Sequence, residues 1–492
     1  MMEEMVVLFN SFEFGLFFPT VTLLYFLLPH RFRWGMLLAA SCFFYMMFIP
    51  QYIAILGVTI VIDYVAALWM VRPGLPTGKR KAILIGSILS TCLVLFVFKY
   101  WNFFHSNLAM LARLIGWNYP IRMLNIILPI GLSFHTFQSL SYVIEVYRGH
   151  QKPERHFGIY ALYVMFYPQL VAGPIERPQN LLHQFRTPHL FEYQRVTDGL
   201  KLMLWGMFKK VVIADRLAIA VNHIYGDPRA YSGGPLLVAT VFFAFQIYCD
   251  FSGYSDIAIG AAQVMGFRLM DNFNRPYFSK SIAEFWKRWH ISLSTWFRDY
   301  LYIPLGGNRA KTWRWRMNLF VTFLVSGLWH GANWTYVIWG ALNGGYLIAS
   351  HSTQRLRQAM CQRLGLARFP TLHKVFRVAT TFSLVCVAWI FFRANTISEA
   401  WYIITHLFRG LAHRWKPAGG YWNTGTDQAE WIIVLLSIGL MEGVHVLQRH
   451  RHIRQMLRER PMWLRWLIYY ALVLGILFFG VFDNQQFIYF QF

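Results

Sequence analysis

The feature that most constrains this chain is a series of long apolar runs separated by short polar stretches. A helix needs about 20 mostly apolar residues to cross the hydrocarbon core of a bilayer, and several runs reach that length. The runs at 235–265 and 317–350 suffice for a tilted crossing or for two half-crossings. The pattern predicts an all-α polytopic membrane protein with about 10–13 transmembrane or re-entrant helices. The runs lie at 12–28, 35–49, 51–71, 82–100, 123–147, 157–172, 198–222, 235–265, 317–350, 376–393, 431–447 and 463–482.

The composition agrees with lipid exposure. Hydrophobic residues make up 56% of the 492 residues and charged residues only 14%, whereas soluble domains carry about 25% charged residues. Lipid must therefore cover much of the surface. We find no soluble domain and no clear internal repeat, so we expect one membrane-embedded domain over 1–492.

The net charge is strongly positive, with 46 Lys and Arg against 22 Asp and Glu, or +24. A nucleic-acid-binding protein can show such an excess. Here the basic residues gather between apolar runs, at 31–33, 79–81 and 148–155, as they do in cytoplasmic loops. This distribution predicts contact with membrane lipid, no nucleic-acid partner, and an N-terminus outside.

The sequence shows no sign of a disulfide framework or of a metal site. The five cysteines are scattered, and neither they nor the histidines have metal-ligand spacing. Glu3 and Glu4 precede the first apolar run, where a secretory signal would be basic. We therefore expect this run to be retained as a membrane span.

The stretch 266–316 is aromatic and strongly basic. Within it, five apolar residues recur at helical spacing: Phe285, Trp289, Leu293, Trp296 and Tyr300. A basic helix with a Trp-rich face is typical of a segment that lies in, or dips into, the cytoplasmic interface. A simple membrane anchor would show the same pattern.

Among polar residues in apolar runs, His330 is the foremost candidate for chemistry. Such residues are costly in a bilayer and are functional candidates by default. Ser326 lies one turn before His330, and Gly327 and Gly331 allow another backbone to approach. An imidazole titrates near neutral pH and suits a general base. A core histidine bonded to a neighbouring helix is an equally good interpretation of these residues alone.

His290 is the second candidate, 40 residues before His330. That distance is too long for a local pair, although a fold can bring the two together. An interfacial polar residue without a catalytic role is the alternative interpretation.

Two carboxylates, Asp250 and Asp256, also lie inside an apolar run. Cys249, Gly253, Asp256 and Gly260 recur at steps of 4, 3 and 4, which favours close helix packing. Asp256 is therefore expected to orient a neighbouring helix, with a proton relay as the less favoured alternative.

Four stretches together resemble the membrane-bound O-acyltransferase (MBOAT) family. They are Arg288–Arg309, Trp329-His330-Gly331-Ala332 with the following Trp-Gly helix, Tyr167–Ile175, and the closing Phe487–Phe492. The last of these looks like the bacterial alginate O-acetyltransferase branch. The resemblance is strong over about 90–400.

The resemblance implies that His330 and His290 are the catalytic residues, beside a tunnel through the thin centre of a ring of tilted helices. Acyl transfer needs a base for the attacking hydroxyl, a role we assign to His330. His290 is then the second polar group, which positions substrate or supports the oxyanion, and the two roles are exchangeable. We assign substrate binding to Ser326, Asn333, Arg288 and Arg298, with the arginines facing an anionic donor.

The expected function is O-acetylation of an exported polysaccharide such as alginate or cellulose at the bacterial inner membrane. The expected donor is acetyl-CoA or an acyl carrier, with no bound cofactor and with periplasmic acetyltransferase- or esterase-like partner proteins. Alternatives are acylation of peptidoglycan, D-alanylation of teichoic acid, a proton-coupled transporter or flippase, and a structural scaffold of a secretion complex.

Overall fold

The computed structural model describes residues 8–124, 126, 128–170, 173–410, 425–449, 453–482 and 487–488. Within these ranges the chain forms helices and no β-strand, which confirms the all-α prediction. Sequence predictions that fall on Glu3, Glu4, Val171, Ala172 and 489–492 lie outside the described residues. The α-helices are α1 Phe12–Leu27, α2 His30–Met46, α3 Tyr52–Met70, α4 Thr77–Leu95, α5 Trp101–Leu114, α6 Leu132–Arg148, α7 Phe157–Met165, α8 Tyr167–Leu170, α9 Pro178–Leu181, α10 Tyr193–Met207, α11 Asp215–Gly226, α12 Gly234–Met265, α13 Ile282–Trp286, α14 Ile291–Phe297, α15 Thr312–His330, α16 Trp334–Ser352, α17 Gln354–Arg363, α18 Pro370–Arg393, α19 Ile397–His406, α20 Gln428–Leu447, α21 Ile453–Arg458 and α22 Met462–Phe479.

Six helices of the described residues are long and apolar enough to cross a membrane. They are α3, α12, α18, α20, α22 and the continuous helix Thr77–Leu114, which contains α4, α5 and a π-helical turn between them. On α22, Leu477 and Phe478 are 63% and 76% exposed, as lipid-facing side chains should be. The multi-pass prediction is confirmed. The estimate of 10–13 crossings also counts shorter and less apolar helices, and stays a prediction.

The two longest apolar runs fold differently. Run 235–265 falls within the single helix α12 of 32 residues, which is about 48 Å long at 1.5 Å per residue. A bilayer core is about 30 Å thick, so α12 can cross only with a tilt or by extending beyond it. Run 317–350 is interrupted between α15 and α16, where Gly331 is extended at φ −163°.

The chain forms two compact units that alternate along the sequence. The first is Met1–Met203 with Tyr254–Met270, and the second is Leu204–Gly253 with Asp271–Phe492. Helices α10 and α12 each have residues in both units. The prediction of one domain stays a prediction.

In the first unit, a buried acid of α3 is satisfied by hydroxyls of α4. Ser87 Oγ donates to Asp63 Oδ1 at 2.5 Å, and Thr91 Oγ1 lies 3.2 Å from both carboxylate oxygens. A polar group in the core of a membrane protein must find such partners inside the protein. This cluster therefore links two neighbouring apolar helices.

The small-residue stripe of α12 packs closely against α10, as its spacing predicts. In the first unit, a Cβ at Gly260 would lie 2.6 Å from the carbonyl oxygen of Gly199. In the second unit, a Cβ at Gly253 would lie 2.8 Å from the carbonyl oxygen of Gly206. Both separations are too short for any side chain, so glycine sets the distance between the helices.

Gly260→Val is expected to lower the stability of the protein by about 1–3 kcal/mol, because it overpacks this contact. The measurement is the thermal unfolding temperature of the detergent-purified protein. Gly439→Ala on α20 is the matched control, since a Cβ there meets no atom within 4 Å. An unfolding temperature equal to that of the wild type in Gly260→Val would contradict the close packing.

In the second unit, the aromatic stretch after residue 280 is broken into short helices, so the prediction of one continuous helix face is wrong. Helix α13 ends at Trp286, and α14 begins at Ile291 after His290, which has a left-handed backbone at φ +41°. Of the predicted face, Phe285, Trp289, Leu293 and Trp296 are nevertheless buried within the protein. Backbone hydrogen bonds of Asn272 and Asn274 with residues on either side of His290 stabilise the break.

The second unit also contains a buried charge cluster. Lys210 Nζ lies 2.6 Å from Asp215 Oδ1 and 2.8 Å from Asp250 Oδ1, and all three side chains are nearly inaccessible. Asp250 Oδ2 accepts a hydrogen bond from the backbone N–H of Ile488 at 2.8 Å. Asp250 of α12 thus joins Lys210, within the π-helical segment Phe208–Ala214, to the C-terminal part of the chain.

Candidate active site

His330 is the last residue of α15 and is buried. Its imidazole packs edge-on against Trp339 of α16 at 5.0 Å and against Phe392 of α18 at 5.4 Å between ring centroids. Aromatic walls of this kind exclude water and fix the plane of the ring. The helix ends here because the next residue, Gly331, is extended.

Glycines around His330 allow α15 and α16 to meet backbone to backbone, as expected. A Cβ at Gly327 would overlap the carbonyl oxygen of Tyr336 and would lie 3.0 Å from the Cα of Gly340. A Cβ at Gly331 would overlap the Tyr336 ring. His330 is therefore held at a tight helical hairpin.

His290 is buried at the start of α14. Its ring packs edge-on against Phe251 at 4.6 Å and 87°, and its Nδ1 lies 3.3 Å from Asn272 Oδ1. Burial, together with the charge that His330 carries when protonated, lowers the pKa of His290 well below its ordinary range. The imidazole of His290 is therefore neutral at physiological pH.

The two histidines belong to one aromatic cluster of the second unit. Trp289, which precedes His290, lies 5.0 Å from Trp389 between ring centroids. Trp389 stacks at 6.0 Å on Trp339, the ring that contacts His330. The structure thus places the two residues that the sequence singled out 40 positions apart in one connected group of aromatic side chains.

A cavity of about 500 Å³ lies beside this cluster in the second unit. Ser326, one turn before His330, and Ser294, four residues after His290, contribute to its wall, while neither histidine lines it. Half of its lining residues are aromatic or aliphatic, and the polar half includes three cations, Lys287, Arg298 and Arg357. Ligand pockets commonly have this size and this mixture of apolar walls and few charges.

Two of the four predicted substrate-binding residues line the cavity, and the other two do not. Ser326 and Arg298 line the cavity, and Arg298 also pairs with Asp299 at 2.7 Å. Arg288 does not line it, and forms an ion pair with Glu284 at 2.6 Å.

Asn333 also lies away from the cavity lining. Its Oδ1 accepts from the backbone of Thr335 at 3.1 Å and caps α16, and its Nδ2 donates to the carbonyl of Asn395 at 3.1 Å. Its observed contacts are structural, so its role in substrate binding stays a prediction.

Sequence reasoning missed the polar residues around His290 and two of the cavity cations. Asn272 and Ser292 contact each other and His290, while Lys287 and Arg357 line the cavity. Lys287 was visible only as one charge in a basic stretch, and Asn272 stands in an irregular segment without periodicity. Among the described residues, no group of three or more His, Cys, Asp or Glu side chains is arranged to bind a metal.

The fold and the site define a polytopic helical membrane protein with two buried histidines beside a cation-lined cavity. A sequence model of the MBOAT, membrane-bound O-acyltransferase family, matches residues 156–391, which include both histidines. The protein named Probable alginate O-acetylase AlgI of Pseudomonas aeruginosa is 40% identical over 405 residues, covering 82% of this chain and 75% of that protein. The Peptidoglycan O-acetyltransferase of Helicobacter pylori is 34% identical over 425 residues, covering 80% and 77%.

A more distant relative is the Teichoic acid D-alanyltransferase of Bacillus subtilis, 27% identical over 277 residues, covering 52% of this chain and 65% of that protein. The chain belongs to the membrane-bound O-acyltransferase family, and it is a multi-pass membrane O-acyltransferase. This confirms the resemblance noted in the sequence. The transporter and scaffold alternatives are not supported.

Proposed function

We propose that this enzyme moves acetyl groups from a cytoplasmic donor across the bacterial inner membrane for O-acetylation of an exported polysaccharide such as alginate or cellulose. The observation that carries the proposal is the convergence of His330 and His290 in one buried cluster beside a cation-lined cavity. The 40% identity to a protein named as an alginate O-acetylase supports the acceptor class.

The proposed chemistry is acyl transfer from a thioester to a hydroxyl. His330 takes the proton of the attacking hydroxyl, the new carbon–oxygen bond forms, and the carbon–sulfur bond breaks. The proton passes to the leaving thiolate, so an ester and a free thiol result. A positioned general base contributes about 10²- to 10⁴-fold to such a step. His290 is the second polar group that contacts the substrate.

The cavity is the proposed site of the acyl donor, either acetyl-CoA or a carrier-borne acyl group. Lys287, Arg298 and Arg357 give its wall a positive potential, which attracts an anionic donor. Its apolar side suits the uncharged arm that bears the acyl group. Periplasmic partner proteins of acetyltransferase or esterase type are proposed to complete the transfer to the polymer.

Arg298→Gln is expected to raise the donor KM about 10-fold, with kcat less affected, because one charge-assisted contact of about 1.4 kcal/mol is lost. The measurement is acyl transfer in membrane vesicles as a function of donor concentration. Arg316→Gln is the matched control, since this exposed residue of α15 is not part of the cavity wall. Equal donor KM values in the wild type and in Arg298→Gln would contradict the proposed donor site.

Acetylation of peptidoglycan is the second candidate, favoured by the relative from Helicobacter pylori at 34% identity over 80% of this chain. D-alanylation of teichoic acid has weaker support, since that relative covers only 52% of this chain. The two leading candidates differ in the polymer that carries the acetate.

The test is to measure acetate bound to exported polysaccharide and to peptidoglycan in cells with wild type or His330→Ala, at matched membrane levels. We expect polysaccharide acetate to fall in His330→Ala while the yield of polymer is retained. Loss of acetate from peptidoglycan alone would favour acetylation of peptidoglycan, the second candidate. Unchanged acetate in both polymers would overturn the proposed function.

A further inference from the structure

We propose that Asn272 is a positioning residue that holds His290 with its hydrogen on Nδ1, so that Nε2 can only accept a hydrogen bond from the substrate. This inference rests on the proposed function and deepens it. Three atoms lie within hydrogen-bond distance of the Oδ1 atom of Asn272: Ser292 Oγ at 2.6 Å, the backbone nitrogen of Ser292 at 3.3 Å, and His290 Nδ1 at 3.3 Å.

The orientation of the Asn272 amide follows from the backbone contact. A backbone N–H can only donate, so the Asn272 atom that faces the amide of Ser292 is the carbonyl oxygen. The hydroxyl of Ser292 has one hydrogen, and the 2.6 Å contact to the same oxygen uses it, so Ser292 Oγ, 3.5 Å from His290 Nδ1, can only accept from that nitrogen. The His290 nitrogen that faces this oxygen must therefore supply its own hydrogen.

The backbone around Asn272 fixes the position of His290 as well. The N–H of Ile291 donates to the Asn272 carbonyl at 2.9 Å, and the N–H of Asn274 donates to the Arg288 carbonyl at 2.9 Å. These bonds stabilise the left-handed backbone of His290, which an L-residue adopts at a cost of about 1–2 kcal/mol. Strain of this kind persists where the surroundings over-determine a residue.

Phe251 restricts rotation of the His290 ring. Its edge-on contact at 4.6 Å sets the plane of the imidazole, while Asn272 sets which nitrogen carries the hydrogen. In a neutral imidazole the other nitrogen then has a lone pair and no hydrogen. Nε2 of His290 can thus accept a hydrogen bond from an O–H of the substrate, and it cannot donate to an oxyanion.

The Nδ1–H tautomer limits which role His290 can have. With His330 as the base for the attacking hydroxyl, a second polar group at an acyl-transfer site can either donate to the oxyanion or accept from another O–H of the acceptor. The low pKa of His290, caused by its burial and by the His330 charge, disfavours the doubly protonated form that would donate from both nitrogens. The role that remains is to accept a hydrogen bond from a second O–H of the acceptor molecule, because His330 takes the only proton of the attacking hydroxyl.

The first test compares Asn272→Leu with the wild type in a vesicle assay of acyl transfer. The Leu side chain has a size similar to that of Asn and has no hydrogen-bond acceptor. We expect kcat to fall about 10- to 100-fold, the range found for residues that orient a metal-bound imidazole, with donor KM changed less than about 3-fold. Asn318→Leu is the control, because Asn318 is also buried and its Nδ2 donates to the carbonyl of Gly307, away from His290.

The second variant, Asn272→Asp, is tested by the pH dependence of activity, which would not change if Asn272 had only a structural role. A carboxylate preserves the tautomer and favours the imidazolium form of His290, so it raises the pKa of His290. His330 is the titratable group whose charge acts on His290, and it is unchanged. Because His290 must be neutral to accept, we expect activity to be retained at high pH and its acid limb to move to higher pH. An acid limb equal to that of the wild type would overturn the inference.

The tautomer can be measured without any change at Asn272. In protein with ¹⁵N-labelled histidine, the signals lost in His290→Ala identify His290, and their shifts in the wild type report which nitrogen carries hydrogen. We expect Nδ1–H, and an Nε2–H tautomer would overturn the inference. The proposed function fails separately, if His290→Ala and His330→Ala both keep the acyl-transfer rate of the wild type.

Discussion

Replacing His330 by Ala is expected to lower kcat for acyl transfer about 10²- to 10⁴-fold, the contribution of a positioned general base. The donor KM should change little, because Ser326 and the cations of the cavity wall remain in place. The measurement is the rate of transfer from a labelled thioester donor in membrane vesicles, normalised to the amount of enzyme. The expected effect is large because a general base acts at the reacting atoms, which is the role proposed for this imidazole.

The controls for this prediction use a distant histidine and a double variant. His183→Ala removes an exposed histidine of the first unit and should keep the rate of the wild type. If His330 and His290 act as a unit, His330→Ala/His290→Ala should be little slower than the more damaging single variant. A His330→Ala enzyme that keeps more than about a tenth of the rate would contradict the assignment.

Lys210→Met is expected to lower the stability of the protein by about 3–5 kcal/mol. Lys210 lies between Asp215 and Asp250 at 2.6 and 2.8 Å, and all three side chains are buried. Removing the lysine leaves two carboxylates close together without their shared cation. The measurement is the thermal unfolding temperature in detergent, followed by the intrinsic tryptophan fluorescence of the chain.

Two further variants separate the charge effect from the loss of packing. Lys210→Met with Asp215→Asn and Asp250→Asn removes all three charges and should recover much of the loss, because no uncompensated charge remains. Lys201→Gln breaks a more exposed pair with Asp198 and should cost no more than about 1 kcal/mol. A Lys210→Met protein as stable as Lys201→Gln would show that the buried cluster contributes little.

The membrane class could be predicted because the bilayer leaves few alternatives. Apolar runs of about 20 residues must be helical to satisfy their backbone groups in lipid, so length and composition suffice. The stripe of Gly253 and Gly260 was predictable for a related reason: helix periodicity places these residues on one face. The same periodicity failed over Phe285–Tyr300, where the helix breaks at His290.

The candidate site was only partly predictable. His330 and His290 stood out as polar residues in apolar or interfacial stretches and within a family signature. Arg288 and Asn333 were assigned to substrate from the same stretches, but their observed contacts are an ion pair with Glu284 and a helix cap. Local hydrogen-bond geometry decides such roles, and a residue list does not contain it.

The sequence by itself determined that this chain is a helical multi-pass membrane protein of the O-acyltransferase family, with His330 and His290 as its prominent polar residues. These properties follow from local hydrophobicity and from motifs of neighbouring residues. Only the tertiary structure decided that Trp389 joins Trp289, the neighbour of His290, to Trp339, the ring that contacts His330, and that Asn272 faces His290. The physical reason is that hydrogen bonds and ring contacts depend on ångström-scale approach between segments far apart in the chain, which no periodicity encodes.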